Sequence, residues 1–116
     1  RIVAYAMKWL GGKYVWGGET LGKGVDCSGF TKCVYAKFGY YLIHYSGDQA
    51  SNGKKISRNQ LQKGDLVFYS KNGTINHVAI YIGDGQVIHA RSTKRGICIT
   101  DMYYRTPVKY VTYIHK

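Results

Sequence analysis

Cys27, His77 and His89 are the side chains whose types and order in this sequence could carry nucleophilic chemistry. Cys27 lies in Asp26-Cys27-Ser28-Gly29, and the apolar residues after it, Phe30, Cys33, Val34 and Phe38, recur at helical spacing up to Gly39. The thiol therefore falls at the start of a predicted helix. Unpaired backbone N–H groups and the macrodipole favour negative charge there, which should lower the thiol pKa and expose a thiolate nucleophile. Ser28 and Gly29 are small enough to leave the sulfur open, and N–H groups of the same turn can face an oxyanion.

A cysteine nucleophile needs a base. His77 opens the run His-Val-Ala-Ile-Tyr-Ile, whose alternation puts His77, Ala79 and Tyr81 on one face of a strand and Val78, Ile80 and Ile82 on the other. A third polar group should orient the imidazole, and His89 lies on the next strand. A three-residue turn through Gly83-Asp84-Gly85 would set Ile82 opposite Gln86 and His89 opposite Ala79, diagonal to His77 on the same face. A two-residue turn would put the histidines on opposite faces. Read singly, each of these residues has a structural explanation, and one Cys with two His and an open fourth position could instead hold a catalytic zinc.

The elements that must position these groups are legible in the same pattern. Ile2, Val3, Tyr5, Ala6, Trp9 and Leu10 read as a helix of about ten residues stopped by Gly11-Gly12. Lys13 to Val25 is a glycine-rich loop around Tyr14, Val15 and Trp16, suited to close backbone approach. Ser46 with Gln49 resembles a capping box for a short helix through Ala50. Five strands are expected at Leu66 to Tyr69, Val78 to Ile82, Val87 to Ala90, Ile97 to Thr100 and Val108 to Ile114. Helices first and strands after is an α+β arrangement, with the helices packed on one face of an antiparallel sheet of about five strands.

With 116 residues, 45% of them hydrophobic and only one Pro, the chain is expected to form one domain, residues 1–116, with its own core. It starts at Arg1 rather than Met, which suggests a piece of a longer protein. No run of about 18 apolar residues is present, so no span of a membrane is expected in this chain. Seventeen Lys and Arg against six Asp and Glu give a net charge of +11, which points to an anionic partner, with an acidic membrane surface and a bacterial cell wall fitting the same field equally well. The cations are scattered, with Lys54-Lys55 and Lys94-Arg95 the only adjacent pairs, so nucleic acid is not the expected partner. Three cysteines, odd in number and without the close pairs of a zinc ribbon or a redox motif, do not suggest a disulfide framework, and Cys33 and Cys98 read as buried apolar positions. His44 and His115 read as surface histidines.

The motifs together resemble the NlpC/P60 family of cell-wall cysteine peptidases over nearly the whole chain. The matching stretches are Lys13-Tyr14-Val15-Trp16-Gly17-Gly18, Asp26-Cys27-Ser28-Gly29-Phe30, Gly47-Asp48-Gln49-Ala50, Gly64-Asp65-Leu66-Val67-Phe68, His77-Val78-Ala79-Ile80-Tyr81-Ile82-Gly83 and Val87-Ile88-His89-Ala90. The resemblance implies a papain-like fold with Cys27 as nucleophile, His77 as base and then acid, and His89 as the third polar residue. It puts Tyr14 beside the nucleophile for the oxyanion or substrate, and Asp26 and Ser28 in the pocket that holds the substrate's free amino end; Trp16 belongs to the same loop. The implied reaction is hydrolysis of the peptidoglycan stem peptide at the γ-D-glutamyl–diamino acid bond, by a monomer needing no metal or organic cofactor, outside the cell at the bacterial wall. Two departures stand out: Lys63 where the family often has Pro, and Leu42-Ile43-His44 where it often has Leu-Pro-Arg, which puts that arginine's substrate contact in doubt. A non-catalytic wall-binding module, or another thiol amidase or acyltransferase, would use the same residues differently. Lysine and diaminopimelate stems are not distinguished.

Overall fold

Alternation of apolar residues in the second half of the chain builds a sheet with two different faces. In the computed structural model, which describes residues 1–115, six antiparallel strands run in the order β3-β8-β4-β5-β6-β7. These are β3 (Lys54–Ile56), β4 (Leu66–Lys71), β5 (Thr74–Gly83), β6 (Gln86–Ala90), β7 (Ile97–Asp101) and β8 (Pro107–Thr112). The sixth strand, β3, is the one missed by the sequence pattern. It is short and begins with two lysines, a composition typical of a sheet edge, and it pairs with β8 through Lys55 opposite Val111.

One face carries Leu66, Phe68, Val78, Ile80 and Ile88, buried together with Ile2 and Ala6 of α1 (Ile2–Met7) and Phe30, Val34 and Tyr35 of α2 (Cys27–Ala36). The helices thus cover one face, as the pattern implied, although α1 is one turn shorter than expected because residues 8–11 continue as turns. The other face carries Val67, Tyr69, Ala79 and Val87, capped by Met102 and flanked by Tyr81, Tyr104 and Tyr110. His77 and His89 share this second face.

Two local expectations change. Ser46 does not cap α3 (Ser46–Asn52); Tyr45 precedes the helix, and the Gln49 side chain is drawn into the core, where its Nε2 donates to the carbonyls of Ser28 (3.0 Å) and Ile43 (2.8 Å). A capping box does form at Ser57 and Gln60, around the short 3-10 turn Arg58–Gln60. At the β5–β6 hairpin the turn is two residues, not three: Gly83 pairs with Gln86, and Asp84 and Gly85 both take positive φ (54° and 74°), as a type I′ turn demands. A register shift between Tyr81 and Gly83 adds one residue on β5 and restores Tyr81 opposite Val87 and Ile80 opposite Ile88. The histidines therefore reach the expected common face by a bulge rather than by a longer loop.

Candidate active site

Asp26 organises the nucleophile's surroundings. It is the N-cap of α2: its Oδ1 accepts from Gly29 N–H (2.8 Å), while its Oδ2 accepts from Gly17 N–H (3.1 Å). Its own N–H donates to the Gly18 carbonyl at 3.0 Å, so the glycine-rich loop and the first turn of α2 are locked together. Gly29 must be glycine, because a Cβ there would stand 2.1 Å from the Gly18 carbonyl oxygen. The loop itself folds on the two short strands β1 (Glu19–Thr20) and β2 (Gly24–Val25) and on a bridge between Tyr14 and Val25. Burial, with the proximity of Cys27 and Asp26 adding to it, raises the Tyr14 phenol pKa.

Cys27 is the first residue of α2 and is only partly buried. The β5–β6 ladder runs from the turn to Ile80 opposite Ile88. Beyond it the β5 backbone turns polar groups toward the helix: Cys27 Sγ lies 4.0 Å from the Asn76 carbonyl oxygen, and the Val78 N–H points at the sulfur. The helix N-terminus thus meets the splayed edge of the strand that carries His77. The expected lowering of the thiol pKa is present but outweighed. Burial pushes the thiol up to about 11, with the Asp26 charge adding to it, against the N–H groups of Val78, Ser28 and Cys27 itself.

His77 is almost fully buried (6% exposed) and His89 completely so. His77 Nε2 and His89 Nδ1 are 2.7 Å apart, and His89 Nε2 lies 3.0 Å from the Thr100 hydroxyl on β7. One assignment of protons serves the whole chain: His77 Nε2–H donates to His89 Nδ1, and His89 Nε2–H donates to Thr100 Oγ1. It leaves His77 Nδ1 with a free lone pair. Tyr69 and Tyr104 wall the pair, with the Tyr104 ring 5.0 Å from that of His89. Burial pulls His77 down to about 3, helped by His89, Arg105 and Arg91, and pulls His89 down to about 4, helped by Arg91 and Arg105. Both rings rest neutral.

A cleft of about 470 Å³ brings the remaining residues together: Tyr14, Trp16, Asp26, Cys27, Ser28 and His77 all line it. Trp16 is 85% exposed and free to touch a ligand, whereas Ser28 is buried and its hydroxyl lies 3.5 Å from Asp26 Oδ1. Asp26 already serves the fold on both oxygens, so it offers a ligand its charge and little remaining acceptor capacity.

His44 also lines this cleft, contrary to its reading as a surface residue. Its Nε2 is 2.7 Å from Asp26 Oδ1 and its Nδ1 3.0 Å from Glu19 Oε2. Burial alone would depress its pKa, but the two carboxylates more than reverse that and raise it. Its place just before α3, held by the Gln49 bond to the Ile43 carbonyl, carries no signal in sequence spacing. Thr100 and Tyr104 were also missed; Thr100 could have been found once His89 was placed opposite Cys98, two residues away on the same face. Cys33 and Cys98 are partly exposed rather than buried, and the Cys33 thiol donates to the Glu19 carbonyl. The zinc alternative has no geometry: among the described residues no group of three His, Cys, Asp or Glu side chains could hold a metal ion. No helix among the described residues is long and apolar enough to cross a membrane.

The NlpC/P60 family model matches residues 11–115. A γ-D-glutamyl-L-lysine dipeptidyl-peptidase of Bacillus cereus is 44% identical over 91 residues, covering 76% of this chain and 27% of that protein. The murein DD-endopeptidase MepS/murein LD-carboxypeptidase of Escherichia coli is 42% identical over 103 residues, covering 88% of this chain and 54% of its own length. The NlpC/P60 domain of the peptidoglycan hydrolase SagA superposes with a TM-score of 0.87 at 40% identity, covering 96% of this chain and 95% of that one. The chain spans about a quarter to a half of these two curated relatives.

Proposed function

The chain belongs to the NlpC/P60 family, and on that premise we propose that residues 1–116 are a cysteine endopeptidase domain acting on peptidoglycan stem peptides at the bacterial wall, cutting between the γ-D-glutamyl residue and the diamino acid. One observation carries the reading: the thiol at the start of α2 shares a cleft with an imidazole whose far nitrogen is tied to a second histidine. The name of the Bacillus cereus relative supports the choice of bond; that of the Escherichia coli relative marks other stem-peptide bonds as the competing choice.

In this mechanism the substrate carbonyl enters the cleft beside Cys27. The thiol proton passes to His77 Nδ1 as sulfur attacks, so no free thiolate need accumulate. The imidazolium is steadied by His89 Nδ1, which accepts from His77 Nε2–H, and His89 in turn donates to Thr100. Backbone N–H groups of the first turn of α2, with the Tyr14 hydroxyl, stabilise the tetrahedral oxyanion. His77 then protonates the departing amine, and water attacks the thioester with His77 again as base. Asp26, paired with His44, supplies negative charge for the free amino end of the acyl half.

The test is digestion of lysine-type and diaminopimelate-type stem tetrapeptides with a free L-alanine amino end, with products identified by mass spectrometry. Release of a dipeptide ending in γ-D-glutamate by the wild type, and its loss in a folded Cys27→Ala variant, is the expected result. Retained turnover in that variant removes the thiol mechanism, and release of free D-alanine without that dipeptide moves the assignment to a different bond.

A further inference from the structure

A second hollow of about 410 Å³ adjoins the first, and His77 lines both. Its other lining residues are Arg91, Ser92, Lys94, Arg95, Tyr104 and Arg105. Four cations and no carboxylate face it, and none of the four is in an ion pair among the described residues. Two are held in place by other means. The Arg91 guanidinium stacks 4.9 Å from the Tyr104 ring centre, and Arg105 donates to the Ser70 carbonyl (2.9 Å) and to Asn76 Oδ1 (2.8 Å). Lys94 and Arg95 lie on the exposed β6–β7 turn, where Arg95 N–H donates to Ser92 Oγ at 3.1 Å. The two hollows differ in charge: the one with Cys27 contains Asp26 paired with His44, and the one beyond His77 contains only positive charge.

The direction of the reaction tells which half of a substrate each hollow would receive. The acyl half stays on sulfur, in the Cys27 cleft. The amine leaves from the side of the imidazole that protonates it, and the rest of the departing fragment runs past His77 into the cationic hollow. We propose that Arg91, Lys94 and Arg95, beside His77, form a leaving-group subsite that binds a free carboxylate on the departing fragment, so that the domain prefers stems whose leaving half ends in, or carries, an unblocked carboxylate. This rests on the amide-hydrolase reading above and adds a specificity to it. Charge-assisted bonds from guanidinium to carboxylate supply the affinity, and a planar fork favours a carboxylate over a neutral amide of equal size. Arg105 is tied to the backbone and to Asn76 and contributes its field. Binding of an anion there also offsets the positive charges that disfavour protonation of His77.

The carboxylate has two sources, the chain terminus and the side chain of a diaminopimelate residue, and matched substrates separate them. L-Ala-γ-D-Glu-L-Lys-D-Ala is compared with its C-terminal amide, and the diaminopimelate tetrapeptide with its side-chain amide. Amidation at the recognised carboxylate is expected to lower kcat/KM about tenfold, the scale of a hydrogen bond to a charged group at a partly exposed site. That ratio should fall toward one in Arg91→Gln and in Lys94→Gln/Arg95→Gln. The double variant alters exposed side chains only, so it keeps the test open if Arg91→Gln misfolds. Equal turnover of acid and amide in both pairs overturns the subsite, as does discrimination that survives both variants. If no tetrapeptide is cleaved, the same comparison is made by binding: tighter association of the acid, lost in the variants, keeps the subsite and rejects only the hydrolytic reading, while equal association rejects the subsite too.

Discussion

Thr100→Val isolates the far end of the histidine chain. The substitution is close to isosteric but removes the hydroxyl 3.0 Å from His89 Nε2, leaving a ring nitrogen of a fully buried residue without a partner. An orphaned buried N–H is costlier than an orphaned lone pair, so the variant drives His89 toward the tautomer with its proton on Nδ1. That proton points at His77 Nε2 and obliges His77 to carry its own proton on Nδ1, where it can no longer receive one from Cys27. Loss of a net hydrogen bond of roughly 0.5–1.5 kcal/mol in the productive state corresponds to about 2–12-fold in rate. Thr100 lines neither hollow, so the change should fall on kcat and leave KM alone. Steady-state kinetics on a stem tetrapeptide gives both numbers, and a Thr100→Ser variant, which restores the hydroxyl, should recover most of the rate. The unsatisfied group should also cost about 1–3 kcal/mol of stability, seen as several degrees in Tm. Wild-type kcat in the valine variant, or a serine variant no faster than valine, would refute the proton assignment.

Acid should destabilise the fold through the same pair. Because both imidazoles have folded pKa values below the ordinary 6.5, at about 3 and about 4, the unfolded chain binds more protons below pH 6.5 and stability falls with pH toward those values. Near pH 5 each buried histidine contributes about 1.4 kcal/mol per pH unit, and denaturant titrations of His89→Gln should show the slope reduced by about that amount; an unchanged slope counts against neutral burial. His44 has the opposite sign: its raised pKa means a stabilisation complete below pH 6.5 and lost as pH rises through the folded value, so His44→Asn should lower Tm at pH 6 and hardly at pH 9. A gap in Tm that is the same at both pH values would contradict the Asp26–His44–Glu19 contact. Gly29→Ala drives a methyl group toward the Gly18 carbonyl, and should cost about 1–3 kcal/mol and impair turnover together by moving the Tyr14 loop away from Cys27; a variant with wild-type Tm would show that the loop yields freely.

Local interactions are the ones legible in the sequence. The position of Cys27 at a helix start is set by Asp26 three residues before its hydrogen-bonded Gly29, and a window of a few residues contains the whole cause. The face shared by His77 and His89 was also readable, because strand parity is fixed by one hairpin. Yet the turn reached that parity through a two-residue loop and an added residue at Ile82, and a bulge is set by how the strands twist rather than by turn residues. β3 was unreadable because three residues, two of them Lys, become a strand only when β8 is beside them. His44 joined the site for a similar reason: Gln49 abandoned its local cap to bond the Ser28 and Ile43 carbonyls, and that long-range choice turned the loop inward.

Burial acts with opposite sign on the two partners of the nucleophilic pair, raising the thiol to about 11 and lowering His77 to about 3, so the proton rests on sulfur until something shifts the balance. The cleft contains the means on either side. Near Cys27, the N–H groups of Val78, Ser28 and Cys27 favour charge on sulfur. Near His77, the fields of Arg91 and Arg105 oppose charge on the ring, and an anion lying among them would weaken that opposition. A peptide that is neutral on the leaving side meets the full penalty, whereas one with a carboxylate there relieves it at the moment proton transfer is needed. The same cations that suppress His77 in the empty cleft would therefore make its activation depend on the substrate, a form of selectivity expressed in kcat as well as in binding.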